Sequence, residues 1–287
     1  MNIQTAVIPV AGQGTRFLPI TLAIPKGMIP IIDRPSIQYS LQEAVSAGLE
    51  HIIFVISTEQ ESIPRYFEKR LDLEEIITNR GDLELLSRLN VVSDAVDLSF
   101  VVQESARGLG DAIMSAKDHL AGESFAVLLP DDLIFGATPT ISQMMNVESE
   151  KGGIILAIKK VADQSIEKLG IVDAKKVANN VYQITGMVEK PKPELAPSNL
   201  AIIGRYILSE KVFEAISSTP PGRFGEIQLT DSINSMLANT PCHGYEFDAD
   251  HFDIGIPFGL LKASIYAGLR RKDFGPDLHA WISDAVQ

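Results

Sequence analysis

Ala6-Val7-Ile8-Pro9-Val10-Ala11-Gly12-Gln13-Gly14-Thr15-Arg16-Phe17-Leu18-Pro19 is an apolar run of strand length that breaks into a short glycine turn. Glycine admits backbone conformations with positive φ and lets a ligand approach main-chain N–H groups without a Cβ in the way. Successive N–H groups in such a turn form a concave anion site. Arg16 adds a permanent cation with a fork of donors suited to phosphate oxygens. Lys26 follows inside Ile24-Pro25-Lys26-Gly27-Met28-Ile29-Pro30. Strand, glycine turn and two cations read as a grip for a polyphosphate. A Walker P-loop would need Gly-Lys-Ser/Thr after Gly14, and a dinucleotide fingerprint would need a third glycine where Phe17 stands. On spacing alone, an ordinary strand-to-loop turn competes evenly with phosphate binding.

A chain of 287 residues, 45% hydrophobic and 22% charged, has ample length for a buried core and the profile of a soluble globular protein. Its net charge of −12 argues against nucleic acid or an anionic membrane as partner, since both select basic patches. A polyphosphate approaching so acidic a protein needs local cations, a divalent metal among them. Cys242 is the only cysteine, which leaves no intrachain disulfide and no cysteine-based zinc site. No apolar run approaches the ~18 residues of a membrane span, and no signal-peptide pattern opens the chain. Cytoplasmic residence is the expectation.

Short apolar runs alternate with helical patterns, which predicts α/β architecture with a largely parallel sheet. Strands are predicted at 52–56, 98–103, 125–129, 153–158, 182–188, 201–208, 245–247 and 252–255. Helices are predicted at 35–47, 111–120, 212–216, 227–237 and 258–269, with a short amphipathic one at 276–286 for packing or a subunit interface. Leucines and isoleucines at helical spacing over 72–92 suggest cover for a flank of the sheet. Residues 168–173 read as a connection, and Asn179-Asn180 as the turn of a hairpin. Asp131-Asp132 falls at the carboxyl end of its strand, where open α/β sheets place ligands. Paired aspartates there are either a solvated turn or metal ligands.

The longer stretch from Gly12 through Tyr39 resembles the signature of the bacterial UTP–glucose-1-phosphate uridylyltransferases, within the sugar-nucleotide pyrophosphorylases. The resemblance recurs in order at Gln103 with Gly108-Leu109-Gly110, at Leu129-Pro130-Asp131 and at Val188-Glu189-Lys190-Pro191. It continues at Ala196-Pro197-Ser198-Asn199-Leu200, Gly225-Glu226-Ile227-Gln228-Leu229-Thr230-Asp231 and Phe252-Asp253-Ile254-Gly255. It implies a Rossmann-like nucleotidyltransferase fold, α/β, with a mixed, mostly parallel central sheet flanked by helices. One domain over 1–287 is expected, nucleotide-binding over about 1–135 and sugar-binding over about 136–287. The expected partners are UTP, glucose 1-phosphate and further copies of the chain in a dimer or tetramer.

The implied reaction joins UTP and glucose 1-phosphate into UDP-glucose and pyrophosphate. The sugar phosphate attacks the α-phosphorus in line. The nucleophile is already an anion, so cations and positioning should dominate over general-base work. By the resemblance, Arg16 serves the triphosphate and leaving pyrophosphate, Lys26 the reacting phosphates and Lys190 the sugar phosphate. Glu189 accepts hydrogen bonds from the sugar, and Gly170 lies under it. Ala11, Gly12, Gly14, Gln103 and Gly108 receive the nucleotide, with Gln103 offering both donor and acceptor to uracil. Asp131 and Asp253 hold Mg²⁺, which needs only one or two carboxylates.

Five positions depart from the family pattern: Leu22, Gly27, Asp111, Leu169 and Pro257 stand where polar residues or other partners are usual. Gly27 replaces a glutamate beside Lys26, which implies relaxed nucleotide choice that extends to dTTP. The alternatives are a weakly active regulatory paralogue, a pyrophosphorylase for another sugar 1-phosphate, or a glycosyltransferase with a similar nucleotide-binding half.

Overall fold

A computed structural model describes residues 3–90, 96–120, 122, 124–222 and 225–285. Its first strand, β1 (Thr5–Pro9), sends Ala6 and Ile8 to one side and Val7 to the other, all fully buried. Both faces of this strand therefore need cover, the pattern of a central strand in a sheet with helices on each side. A two-residue ladder, β2 (Pro30–Ile31) with β3 (Arg34–Pro35), leads into α1 (Ser36–Ser46) and then β4 (His51–Ile56). Three flank helices follow, α2 (Ser62–Phe67), α3 (Leu71–Arg80) and α4 (Leu83–Asn90). The helical spacing predicted over 72–92 forms α3 and α4, which pack on each other; the last two residues of that span lie outside those described.

The chain returns through β5 (Asp97–Val102), α5 (Leu109–Ser115), β6 (Phe125–Leu128) and β7 (Asp132–Phe135). Then come α6 (Thr140–Lys151), β8 (Ile154–Lys160), α7 (Asp163–Ile166), β9 (Gly170–Ala178) and β10 (Val181–Glu189). The last part holds β11 (Leu200–Leu208), α8 (Val212–Ser218), α9 (Leu229–Met236), β12 (Cys242–Glu246), β13 (Asp250–Asp253), α10 (Pro257–Leu269) and α11 (Gly275–Ala285). Residue 286 of the predicted C-terminal helix lies outside the described residues.

Nine strands form one sheet in the order β5-β4-β1-β6-β11-β8-β12-β10-β9. The block β5-β4-β1-β6 is parallel throughout. Beyond it, β11 runs antiparallel to both β6 and β8, and β12 runs parallel to β8. Parallel pairing is thus concentrated in the first half. The hairpin predicted at Asn179-Asn180 joins β9 to β10, with Ala178 opposite Val181. The segment read as a connection at 168–173 is instead half strand, because Gly170, Ile171 and Val172 open β9 and are buried.

Helices α1 and α6 cover one face of the sheet, and α5, α8 and α9 the other. A third small core holds Ile31, Leu133, Ile254 and Ala263 under a separate β7–β13 ladder and α10. This ladder was not legible as paired strands, though it brings Asp253 opposite Asp132. Cys242 is buried, and burial pushes its thiol up to about 12, out of reach of ordinary thiol chemistry. Among the described residues no helix is long and apolar enough to cross a membrane.

One side chain ties the face of α1 to the strand ends. Arg205 of β11, 1% exposed, donates through Nε and Nη2 to Glu43 Oε2 at 3.0 and 2.8 Å. Its remaining N–H groups reach the carbonyls of Leu129, Gly204 and Asp132 at 2.8–2.9 Å. Glu43 Oε1 accepts the amide of Ile141 at the start of α6. Truncating one partner of such a pair strands a buried charge, which costs about 3–5 kcal/mol. Glu43→Ala should lower unfolding free energy by that order, read as a urea midpoint shift at constant slope. A shift of under about 1 kcal/mol would mean that the three carbonyls alone suffice for Arg205.

Candidate active site

β1, β5 and β6 all end at the same edge, and the loops after them line a cleft of about 610 Å³. Three groups of residues meet there. The first is the glycine turn. Gly14 has φ 64°, and a Cβ on it would fall 2.9 Å from both Lys26 Cβ and Thr21 Cγ2. Glycine is required because the chain doubles back here to bring Lys26 against the turn; Thr21 Oγ1 donates to the Gly14 carbonyl at 3.0 Å. Gly12 differs: a Cβ on it would meet nothing within 4 Å. Its open side faces the cleft. Ala11 lines the same wall, and Arg16 is exposed with no hydrogen bond or ion pair to any described residue.

The second group is acidic. Lys26 Nζ sits 2.8 Å from Asp131 Oδ2. Asp253 is held by the amide of Gly255, which donates to its Oδ1 at 2.8 Å. The point where Gly255 would carry a Cβ lies 2.8 Å from Asp253 Oδ1 and 3.4 Å from both Asp131 Oδ2 and Lys26 Nζ. The three side chains therefore converge. Burial raises the Asp253 carboxyl above its usual range; Asp132 and Asp131 add to this, while the Gly255 amide and Lys26 oppose it. Two carboxylates crowd each other at the cleft, and a hard cation fits between such groups.

The aspartate pair divides its work. Asp132 Oδ1 is 2.6 Å from His251 Nε2, and Oδ2 accepts the Gly204 amide at 3.1 Å. Burial alone would raise its carboxyl, but His251, Arg205 and that amide together hold it below the usual range. Asp132 is a framework residue. Only Asp131 has its carboxylate toward solvent, with a side chain 38% exposed.

The third group lies across the cleft. Glu189 Oε1 pairs with Lys190 Nζ at 2.9 Å, and Oε2 accepts Thr230 Oγ1 at 2.7 Å. Gly170 packs beneath, its missing Cβ 3.1 Å from both Glu189 Oε2 and Thr230 Oγ1. Lys190 adopts φ 48°, unusual for a non-glycine residue, with its amide bonded to the Leu169 carbonyl. Thr230 and Tyr206 were not singled out from the sequence. Tyr206 lines the cleft from β11, where burial first and the charge of Glu189 next raise its phenol well above the usual range, so it stays neutral.

The last wall carries Gln103 and Gly108. Gly108 has φ 94°, and a Cβ on it would lie 2.8 Å from the Ile227 carbonyl. Gln103 Nε2 donates to Asp111 Oδ2 at 2.7 Å and approaches the Gly108 carbonyl at 3.4 Å. The reading that Gln103 offers donor and acceptor together is corrected here: its amide N–H groups already face protein oxygens. Asp111, a departure, thus makes a contact of its own.

The comparisons follow the same outline. The nucleotidyl transferase family profile matches residues 5–267. The UTP–glucose-1-phosphate uridylyltransferase of Staphylococcus epidermidis is 39% identical over 281 residues, 98% of each chain. The chain belongs to the UTP–glucose-1-phosphate uridylyltransferases of the nucleotidyl transferase family. Among solved structures, a UTP-bound UGPase of Acinetobacter baumannii superposes with TM-score 0.90 at 36% identity, covering 98% of this chain and 99% of that one. A UDP-glucose pyrophosphorylase complexed with UDP-glucose gives 0.86 at 36% identity, covering 94% and 100%.

Within that family the departures have distinct places. Leu22 is 80% exposed on a neighbouring cleft, Leu169 lines the main cleft and Pro257 opens α10. Gly27 is buried, and a Cβ on it would lie 2.5 Å from Ile37 Cγ2. Its side-chain direction leads into α1, so the reading of Gly27 as a nucleotide selector is corrected to one of packing. Overpacking at such a point costs about 1–3 kcal/mol, or roughly 2–5 °C in a chain of this size. Gly27→Glu should melt lower by that much with its UTP-over-dTTP preference unchanged. A variant of native stability with sharper UTP preference would restore the glutamate reading.

Proposed function

We propose that the protein joins UTP and glucose 1-phosphate into UDP-glucose and pyrophosphate, using the cleft at the carboxyl edge of the sheet. The observation that carries this is one cavity lined on one side by Asp131 and Asp253, with Lys26 paired to Asp131 at its edge, and on the other by Lys190 with Glu189 and Thr230. Two anionic reactants each need a cation, and the cavity lies between them.

In this reading the nucleotide lies along Ala11, Gly12, Gly14, Gln103 and Gly108. Arg16 and Lys26 face its phosphates. Lys190 holds the phosphate of glucose 1-phosphate, while Glu189 and Thr230 accept hydrogen bonds from sugar hydroxyls above Gly170. An oxygen of the sugar phosphate attacks the α-phosphorus; the bond to the β-phosphate breaks, and pyrophosphate takes the electron pair. Asp131 and Asp253 would hold Mg²⁺, which supplies neutralisation of phosphate charge when bound. Lys26, paired with Asp131, is kept at the reacting centre.

The nine-stranded sheet runs unbroken through both halves of the chain, which supports one domain over 1–287 with nucleotide and sugar sites split near residue 135. UTP and sugar phosphates are cytoplasmic metabolites, in keeping with a cytoplasmic enzyme. Exposed Phe258, Leu261, Ile265 and Leu269 form an apolar stripe on α10, in keeping with a homo-oligomer. A weakly active paralogue would be expected to have lost part of the reaction centre. Here its charged members all line one cavity or its rim.

Turnover should appear as pyrophosphate release from UTP and glucose 1-phosphate. Lys190→Ala should raise KM for glucose 1-phosphate more than for UTP, and Arg16→Ala should mainly lower kcat, each by tens- to thousands-fold, or about 2–5 kcal/mol. Asp131→Asn should nearly abolish turnover and lose the thermal stabilisation that Mg²⁺ with UTP gives the wild type. No pyrophosphate release from any UTP and sugar 1-phosphate pair would overturn the function. A KM effect of Lys190→Ala on UTP alone would exchange the lysine roles.

A further inference from the structure

If the function proposed above is right, the wall of the cleft at Gln103 and Gly108 holds the nucleobase, because the lysines that would take the phosphates stand elsewhere; Glu226 lies beside Gly108 on this wall. Ala11, Gly108, Leu109 and Ala112 line it with the side-chain amide of Gln103. Gln103 is 5% exposed and Asp111 8%. A carboxylate can only accept, so the 2.7 Å contact between them fixes which end of the amide is which. Nε2 faces Asp111, and Oε1 has no hydrogen-bond partner among the described residues. Asp111 is itself held: Arg107 Nη2 lies 2.8 Å from its Oδ1, and the Arg107 carbonyl accepts the Ile227 amide at 2.7 Å. The Gly110 amide on the neighbouring turn bonds back to the Ile227 carbonyl at 3.0 Å.

We infer that Asp111 sets nucleobase choice by locking the Gln103 amide with its carbonyl toward the cleft, so that the site accepts a base with an N3–H donor and rejects cytosine. Uracil presents N3–H between two carbonyls, and Oε1 accepts it. Cytosine presents an unprotonated N3, which would set acceptor against acceptor. To serve cytosine, the Gln103 amide would have to turn over. Its carbonyl would then face the Asp111 carboxylate, and that repulsion closes the escape. A buried group left facing the wrong partner is how a site gains discrimination beyond fit. Asp111 touches Gln103 rather than the base, which makes it a positioning residue.

The test is the ratio of kcat/KM for CTP over UTP, with glucose 1-phosphate, in wild type, Asp111→Asn and Gln103→Met. Calorimetric binding of CTP and UTP gives the same ratio without turnover. An asparagine can donate to a turned Gln103 carbonyl, so D111N should raise the CTP-over-UTP ratio about tenfold or more, and Q103M should raise it further. A ratio unchanged in folded D111N, CTP and UTP falling in step, or a Q103M ratio equal to wild type would each overturn the inference. Should D111N not fold, Asp111→Ser, whose hydroxyl can also donate, replaces it. If both fail to fold, Asp111 is structural and the inference falls. Absence of wild-type turnover with selective UTP binding would count against the proposed reaction and leave the lock standing.

Discussion

The contact on which this architecture rests is Arg205 with Glu43, a guanidinium almost wholly removed from water. Burying a charge is costly unless it is paired and its remaining donors are satisfied. Here the donors also go to the carbonyls of Leu129, Gly204 and Asp132, at the point where β6 gives way to β7. The turn that carries Asp131 is thereby pinned from beneath. The same arginine links α1, α6 and β11, so the acidic centre is anchored to three elements far apart in sequence.

Around that anchor the charges are sorted by depth. Arg205, Glu43 and Asp132 are consumed internally. Asp131, Asp253, Glu189 and Lys190 line the cleft and Lys26 joins them through Asp131, with partners weak enough to yield to a ligand: the Lys190–Glu189 and Lys26–Asp131 pairs are both partly exposed. Exposed pairs contribute little to stability. A chain with net charge −12 concentrates these few cations where two anionic reactants would otherwise be repelled.

Much of the strand pattern was legible because β1, β4 and β6 are buried on both faces and read as continuous apolar runs. Helix α6 was missed although Ile141, Met144, Val147 and Glu148 keep helical spacing, since its polar residues dilute the stripe. The opening of β9 was missed because Lys168-Leu169-Gly170 looks like a turn, and pairing with β10 and β11 makes it strand. At the site, the glycine turn and the motif residues could be named from sequence order. The split between Asp131 and Asp132 could not, because it depends on His251 and Gly204, which reach Asp132 only in the fold. The direction of Gly27 was hidden for the same reason: whether a missing side chain points to a ligand or a helix is a property of the backbone.

Gly12 has the opposite character to Gly14 and Gly27. Nothing in the protein stands where its side chain would be. A Cβ there meets no neighbour and needs no left-handed backbone, so a side chain at this position fills space at the cleft without a clash at its root. Position 12 is therefore silent to any selection or screen that reads folding, solubility or melting temperature, and answers only to one that reads ligand occupancy. In a library ranked by stability, damage at this position would pass unnoticed, whereas damage at Gly14 would be removed with the unfolded variants.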